Sequence, residues 1–176
     1  FRSHIIEGGG TVALEVARRL SDVDYLVIPL GGGSLTSGCS TAMAALQPTT
    51  KTVAVSPATA PAVVESWRAG KTLSIPPGPS VADGLVQQEC LPYTLSILRR
   101  YLADAWLVND PEIFGSVHAL LETAHVLVEP SGAASVAAIW NCRDQLKGKR
   151  VVAVLTGSNT TAQAVRQALD TPSIAP

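Results

Sequence analysis

A continuous apolar run that ends in three glycines and a serine constrains this chain more than any other feature. Residues 25–30 are apolar apart from the Tyr25 hydroxyl, and Gly31, Gly32, Gly33 and Ser34 follow directly. An apolar run of this length, bounded by turn residues, is typical of a strand buried on both faces. Residues without a Cβ let a ligand approach the backbone, whose N–H groups can then close around an anion such as a phosphate. The segment therefore predicts a strand, an anion-binding loop and a helix in succession.

Strand-like and helix-like segments alternate along the rest of the chain. Near its start, the pattern predicts a strand at residues 5–6, a turn at the glycines 8–10, and a helix over 12–20 capped by Thr11. Further strands are predicted at 25–30, 52–56, 105–108, 126–129 and 150–155, and further helices at 35–46, 62–68, 92–102, 111–123, 132–146 and after 159. Such alternation predicts an α/β fold, a three-layer sandwich with a largely parallel sheet. We expect a single domain over residues 1–170 and a tail over 171–176.

The composition argues against several classes of function. Of the 176 residues, 47% are hydrophobic and 15% charged, and the net charge is −1. With only 5% aromatic residues, the chain has neither the basic stripe nor the stacking residues of a nucleic-acid-binding protein. No apolar stretch approaches the roughly 18 residues of a membrane span. The three widely spaced cysteines show no metal-ligand spacing, which indicates reduced thiols in a cytoplasmic protein.

Four predicted junctions between elements carry glycine, hydroxyl, amide or acidic groups. They are the glycine loop at 31–34, the Asp83-Gly84 pair, the segment 129–132 (Glu-Pro-Ser-Gly) and the segment 156–159 (Thr-Gly-Ser-Asn). In open α/β sheets, ligands bind beyond the carboxyl ends of the strands. We therefore expect the four junctions to converge on one cleft.

The order of these motifs resembles that of the fold type II pyridoxal-phosphate enzymes, and most closely their threonine dehydratase and serine racemase branch. The resemblance covers essentially the whole chain and implies the large-domain portion of such an enzyme. The matching motifs are Gly10-Thr-Val-Ala-Leu-Glu15, Pro29-Leu-Gly-Gly-Gly-Ser-Leu35, Ala82-Asp83-Gly84, Val128-Glu-Pro-Ser-Gly-Ala-Ala134 and Leu155-Thr-Gly-Ser-Asn159.

The resemblance also implies a pyridoxal-phosphate site. The glycine loop would bind the cofactor phosphate, Gly84 and Glu129 would line the ring, and Thr156 stands where relatives usually place a serine beside the pyridine nitrogen. A neutral hydroxyl there does not keep that nitrogen protonated, which suits α-proton removal followed by β-elimination. The cofactor-binding residues implied are Gly31, Gly32, Gly33, Ser34, Leu35, Gly84, Glu129 and Thr156.

Two departures from the family pattern limit this expectation. Relatives hold the cofactor as a Schiff base on a lysine in a serine-rich motif upstream of all the matched segments, and the chain contains neither. None of its four lysines is predicted to lie at the cleft, and covalent catalysis needs an amine within reach of the aldehyde. We therefore predict no catalytic residue here, in a chain that resembles the carboxyl-terminal half of such an enzyme. Residues 56–64, where some relatives bind a divalent cation, contain no carboxylate, so no metal is predicted.

Two functions of different classes remain open. The chain is either the carboxyl-terminal part of a serine or threonine dehydratase-like ammonia-lyase (or racemase), inactive alone, or a non-catalytic α/β module for anion binding or oligomerisation. A small amino acid would be its substrate only if the missing half were supplied. A dinucleotide site is a further alternative for the glycine loop, but the fingerprint lacks its third glycine and its acidic residue. Because an incomplete sheet exposes an edge, we expect a homo-oligomer.

Overall fold

Four parallel strands form the central layer of the protein. In the computed structural model, which describes residues 2–175, they pair in the order β3-β2-β1-β4, with Val27 opposite both Val53 and Ala153. Phe1 of the predicted domain and Pro176 of the predicted tail lie outside the described residues. The predicted α/β fold with a parallel sheet is confirmed. The strands are β1 (Tyr25–Pro29), β2 (Lys51–Pro57), β3 (Asp104–Val108) and β4 (Val151–Ala153).

Helices cover both faces of the sheet, because successive strand side chains point to opposite sides. Leu26 and Ile28 pack with α1 and α2, and Ala54 packs with α3 and α4. Val27 and Val53 point the other way, to α5 and α6, and α7 packs on α5. No helix among the described residues is long and apolar enough to cross a membrane. The helices are α1 (Arg2–Arg19), α2 (Ser34–Leu46), α3 (Ala62–Ala69), α4 (Pro92–Tyr101), α5 (Asp110–Ala119), α6 (Pro130–Asn141) and α7 (Ala162–Asp170).

The first helix differs from the prediction. A single helix runs through glycines 8–10, so the predicted strand at 5–6, the glycine turn and the Thr11 cap are wrong. Instead of capping, the Thr11 hydroxyl donates to the Gly8 carbonyl within the helix (2.7 Å). The glycines allow a close approach to α2: a Cβ on Gly10 would lie 3.1 Å from the Gly38 carbonyl oxygen. Packing against α2 thus overrides the low helix propensity of glycine.

The predicted strand at 126–129 is also wrong. After α5 the chain makes a π-helical turn over Leu120–Ala124 and a left-handed residue at His125 (φ 57°). The extended run that follows joins none of the four described strands, and the N–H of Glu129 donates to the Gly157 carbonyl (3.2 Å). The run therefore meets the turn after β4 rather than the sheet.

Residues 171–175, after α7, form no helix or strand but lie against α5. The N–H of Ile174 donates to the Gly115 carbonyl (3.3 Å), and the Thr171 carbonyl lies 2.7 Å from Nδ1 of His118. A Cβ on Gly115 would come within 2.8 Å of the Ile174 side chain. Residues 171–175 of the predicted tail are therefore packed on the domain.

Candidate functional site

A cavity of about 260 Å³ opens at the carboxyl end of β1. Three separate parts of the chain form it: the loop after β1 with the start of α2, the short 3-10 turn Asp83–Leu85, and the turn after β4. This is the edge of a parallel sheet at which ligands bind in open α/β folds. The lining residues are Pro29, Gly31, Gly32, Gly33, Ser34, Leu35, Thr36, Gly84, Leu85 and Thr156.

The three glycines of the loop have different surroundings. A Cβ on Gly31 would lie 2.6 Å from the Gly84 carbonyl oxygen, and Gly33 has a φ of +85° and abuts the Thr94 methyl group. Both positions therefore need glycine for packing or conformation. Gly32 is exposed, and the nearest atom to a Cβ there would be Gln87 Oε1, 4.0 Å away. Gly32 is the position at which the bare backbone is open to a ligand.

The start of α2 gives the cavity its electrostatic character. Gly33 is the N-cap and provides no capping side chain, and the first turn of α2 contains no acidic residue. The N–H groups of the first turn have no acceptor within the helix, and the helix dipole adds partial positive charge there. The Thr36 hydroxyl donates to the Pro29 carbonyl (3.0 Å), which fixes α2 to the end of β1. This geometry is that of an anion site at a helix N-terminus.

Gly84 forms another part of the lining, next to Gly31. Its N–H donates to the Ser131 hydroxyl (3.1 Å) and to Oδ1 of Asp83 (2.7 Å). A Cβ on Gly84 would lie 3.0 Å from the Ser131 oxygen. Asp83 is exposed and shapes its own turn, whereas Ser131 connects this turn to α6.

Glu129 does not line the cavity but holds the turn after β4. One carboxylate oxygen accepts the N–H of Asn159 (2.9 Å). A Cβ on Gly157, which has a φ of +67°, would lie 2.5 Å from the Glu129 carboxyl carbon. The carboxylate therefore supports the turn that presents Thr156.

The structure brings seven of the eight predicted binding residues into one cavity lining, and Glu129 lies behind it. Their role in binding a cofactor stays a prediction. Sequence reasoning did not single out Pro29, Thr36 and Leu85 in the lining, or Ser131 behind it. The role of Ser131 could have been predicted. It lies in the motif at 128–134, and hydroxyl residues in the first turn of a helix often hydrogen-bond neighbouring backbone groups.

No lysine lines the cavity, and all four lysines belong to the described part of the chain. Lys51 begins β2, and its ammonium group lies 5.6 Å from the centre of the Tyr25 ring. Lys149 precedes β4 and lies 3.7 Å from Asp24. Both lysines therefore lie at the amino ends of the strands, whereas the cavity lies at the carboxyl end of the sheet.

None of the three cysteines lines the cavity, so none provides a nucleophile there. Burial raises the pKa of the Cys39 thiol to about 11 and that of Cys90 to about 11, so both stay protonated near neutral pH. Within residues 2–175, no three His, Cys, Asp or Glu side chains are grouped to hold a metal ion. The chemistry that these residues offer is anion binding by backbone N–H groups.

Comparison with known proteins gives this arrangement a family. Residues 1–157 match the family model described as "Pyridoxal-phosphate dependent enzyme". The chain is 36% identical over 156 residues to an L-threonine ammonia-lyase of Thermotoga maritima, covering 89% of this chain and 39% of that protein. It is 31% identical over 156 residues to a serine racemase of Schizosaccharomyces pombe, covering 89% of this chain and 48% of that protein.

A solved structure shows the same fold. The processed form of threonine deaminase isoform 2 from Solanum lycopersicum superposes with a TM-score of 0.88 at 26% identity, over 97% of this chain and 49% of that one. The chain thus spans less than half the length of these three relatives. Family, sequence relatives and fold agree, and the chain belongs to the pyridoxal-phosphate-dependent enzymes of fold type II, in the threonine dehydratase and serine racemase branch.

Proposed function

We propose that this chain is the phosphate-binding part of a pyridoxal-phosphate-dependent serine or threonine ammonia-lyase (or racemase). The observation that carries the proposal is the opening at Gly32, where bare backbone meets the uncapped start of α2. A Cβ at this position would project into the space that a phosphate needs, and no acidic residue of the first turn opposes a negative charge. The residues present therefore fit the phosphate group of this cofactor.

The rest of the lining suits the ring of the cofactor. When bound, pyridoxal phosphate supplies an electron-withdrawing ring that stabilises negative charge at the α-carbon of an amino acid. Gly84 and Leu85 offer it a wall without polar side chains, and Thr156 offers a neutral hydroxyl. A neutral partner would leave the ring nitrogen unprotonated and so moderate that electron withdrawal. The relatives named threonine ammonia-lyase and serine racemase favour a small hydroxy amino acid as the substrate of the whole enzyme.

The amine needed for covalent catalysis would come from polypeptide outside the 176 residues. The lysines of this chain do not line the cavity, and an amine must reach the aldehyde to form a bond. We therefore expect the chain alone to bind the cofactor through its phosphate, without a covalent bond and without turnover.

Equilibrium dialysis of the purified chain against pyridoxal phosphate tests the proposal. We expect binding that inorganic phosphate displaces, and much weaker binding of pyridoxal, which lacks the phosphate. After borohydride reduction, no lysine should carry a label that inorganic phosphate prevents, since no lysine lines the cavity. With serine or threonine present, neither keto acid nor ammonia should be formed.

Three results would count against the proposal. Equal affinity for pyridoxal and pyridoxal phosphate would show that the glycine loop does not bind the phosphate. Reductive labelling of one lysine that inorganic phosphate prevents would show that the chain does supply the amine. Binding of inorganic phosphate but not of pyridoxal phosphate would favour the alternative, a non-catalytic anion-binding module.

A further inference from the structure

Two adjacent residues of α6 contact two different walls of the cavity. The Ser131 hydroxyl accepts the N–H of Gly84 on one side (3.1 Å). On the other side, Gly132 lies so close to the Thr156 carbonyl that a Cβ would overlap it. Gly84 and Thr156 both line the cavity, whereas Ser131 and Gly132 do not. The first turn of α6 therefore acts as a spacer between the two walls.

We propose that Ser131 is a positioning residue that, together with Gly132, sets the separation of Gly84 and Thr156. The proposal rests on the proposed function, in which the cofactor ring lies against Gly84 while its nitrogen meets the Thr156 hydroxyl, so that the separation of these two residues decides whether both contacts are made. Ser131 acts only through Gly84, and its loss should affect binding of the ring more than binding of a phosphate.

The spacer is fixed to the sheet, which is what allows it to set a distance. Ser131 is only 3% exposed, and α6 packs through Ala134 and Ala137 on the strand residues of the core. One turn further along α6, the Ser135 hydroxyl donates to the Val154 carbonyl (3.1 Å). The parallel register would pair this carbonyl with residue 29 of β1, which is a proline without an N–H. Ser135 replaces that missing donor and connects α6 to the strand that leads to Thr156.

The turn at Gly84 is held to α6 in two ways. Leu85 is buried in the same part of the core as Ala134 and Ala137 of α6, and the Ser131 hydroxyl accepts the one hydrogen bond described between α6 and the backbone of Gly84. Apart from Ser131, its N–H is bonded to Asp83, the residue before it. A bond within the turn shapes the turn but does not set its distance from α6. Removing the Ser131 hydroxyl therefore loosens the Gly84 backbone, although Leu85 keeps the turn packed on the core. The glycine loop and the start of α2 keep their own contacts.

The test compares Ser131→Ala with a matched variant, Ser66→Ala. Ser66 is also buried and its hydroxyl also accepts a loop N–H, that of Leu73 (3.0 Å), but in α3 and outside the cavity lining. Amide hydrogen exchange of Gly84, followed by NMR on the chain without ligand, reports the bond itself. Dialysis against pyridoxal phosphate and against inorganic phosphate reports its effect on binding of the ring and of the phosphate.

In Ser131→Ala we expect the Gly84 amide to exchange about fivefold faster, the factor for loss of one hydrogen bond between neutral groups. The affinity for pyridoxal phosphate should also fall about fivefold. The affinity for inorganic phosphate should stay within about twofold of that of the parent chain. Ser131→Thr, which keeps the hydroxyl, should restore both values, and Ser66→Ala should change neither.

Unchanged Gly84 exchange in Ser131→Ala would overturn the proposal, as would equal loss of affinity for both ligands. Should the parent chain bind no pyridoxal phosphate, the proposed function fails. The Gly84 exchange rate still decides whether Ser131 positions this wall, so the two failures are distinguishable.

Discussion

The chain contains two runs of three glycines, and the structure uses them in different ways. Glycines 8–10 lie inside α1, and glycines 31–33 form the loop after β1. In each run, two glycines are in close contact with another part of the chain and one is open: Gly8 in the helix and Gly32 in the loop. Gly8 faces solvent, whereas Gly32 lines the cavity. An identical sequence thus supports helix packing in one place and a candidate ligand site in the other.

The difference comes from what surrounds each run. Gly9 and Gly10 lie against the backbone of α2, where Gly38 completes a contact with room for no side chain. Gly31 and Gly33 fit the loop between Gly84 and Thr94. A glycine triplet therefore indicates a close approach of the backbone, and only its surroundings show what approaches.

The largest effect is expected from Gly38→Ala, at the contact of α2 with the first run. A Cβ there would overlap the Ile6 carbonyl and lie 2.5 Å from the Gly10 nitrogen. Both are backbone atoms of a helix, so α1 and α2 must move apart. We expect a loss of about 3 kcal/mol in the free energy of unfolding, the upper range for an overpacked core position. Urea denaturation measures this, and a loss below about 1 kcal/mol would show that the helix contact is adaptable.

A smaller loss of stability is expected from Gly33→Ala in the second run. The residue has a φ of +85°, and its Cβ would overlap the Thr94 methyl group. The left-handed conformation alone costs a residue with a side chain about 1–2 kcal/mol. The double variant with Thr94→Ala should recover only the part due to the overlap, as measured by the same denaturation. Complete recovery would show that the backbone conformation carries no cost at this position.

The comparison of the two runs also explains what the sequence could predict. Strands β1, β2 and β3 lie close to their predicted positions, because apolar runs between turn residues define them locally. The second half of α1 lies close to the helix predicted over 12–20. Its first half could not be predicted from local propensity, since three glycines disfavour a helix and the reason for their presence is Gly38, on a different helix.

The candidate site shows the same limit. That the glycine loop, Gly84 and the turn at Thr156 converge was expected from motifs at the ends of elements, since the ends of parallel strands meet at one edge. The family resemblance implied the seven residues that line the cavity. Glu129 was expected to line a ring, but the structure places its carboxylate on the N–H of Asn159. The run at 126–129 has the composition of a strand and lacks a strand partner among the described residues. The contact of Glu129 and the absence of a strand at 126–129 both depend on tertiary packing, which local sequence patterns do not specify.

Substitutions at the open glycine of each run, Gly32 and Gly8, distinguish an effect on ligand binding from an effect on stability. In Gly32→Ala, the new methyl group meets no atom closer than Gln87 Oε1 at 4.0 Å, so stability should change by less than about 0.5 kcal/mol. The methyl group stands where an anion would approach the backbone. We expect the affinity for pyridoxal phosphate to fall about tenfold, equivalent to the loss of one hydrogen bond to a charged group. Dialysis measures it, and an unchanged affinity would place the anion elsewhere.

The smallest effect is expected from Gly8→Ala, the matched control for Gly32→Ala. Gly8 is exposed within α1, and a Cβ there would meet no atom within 4 Å. Alanine in place of glycine restricts the unfolded chain and favours the helix, so the free energy of unfolding should rise by about 0.5–1 kcal/mol. The affinity for phosphate ligands should not change, because the position is outside the cavity lining. A loss of stability would mean that this glycine, like Gly9 and Gly10, is needed for a contact, and the distinction between open and packed glycines within the first run would fail.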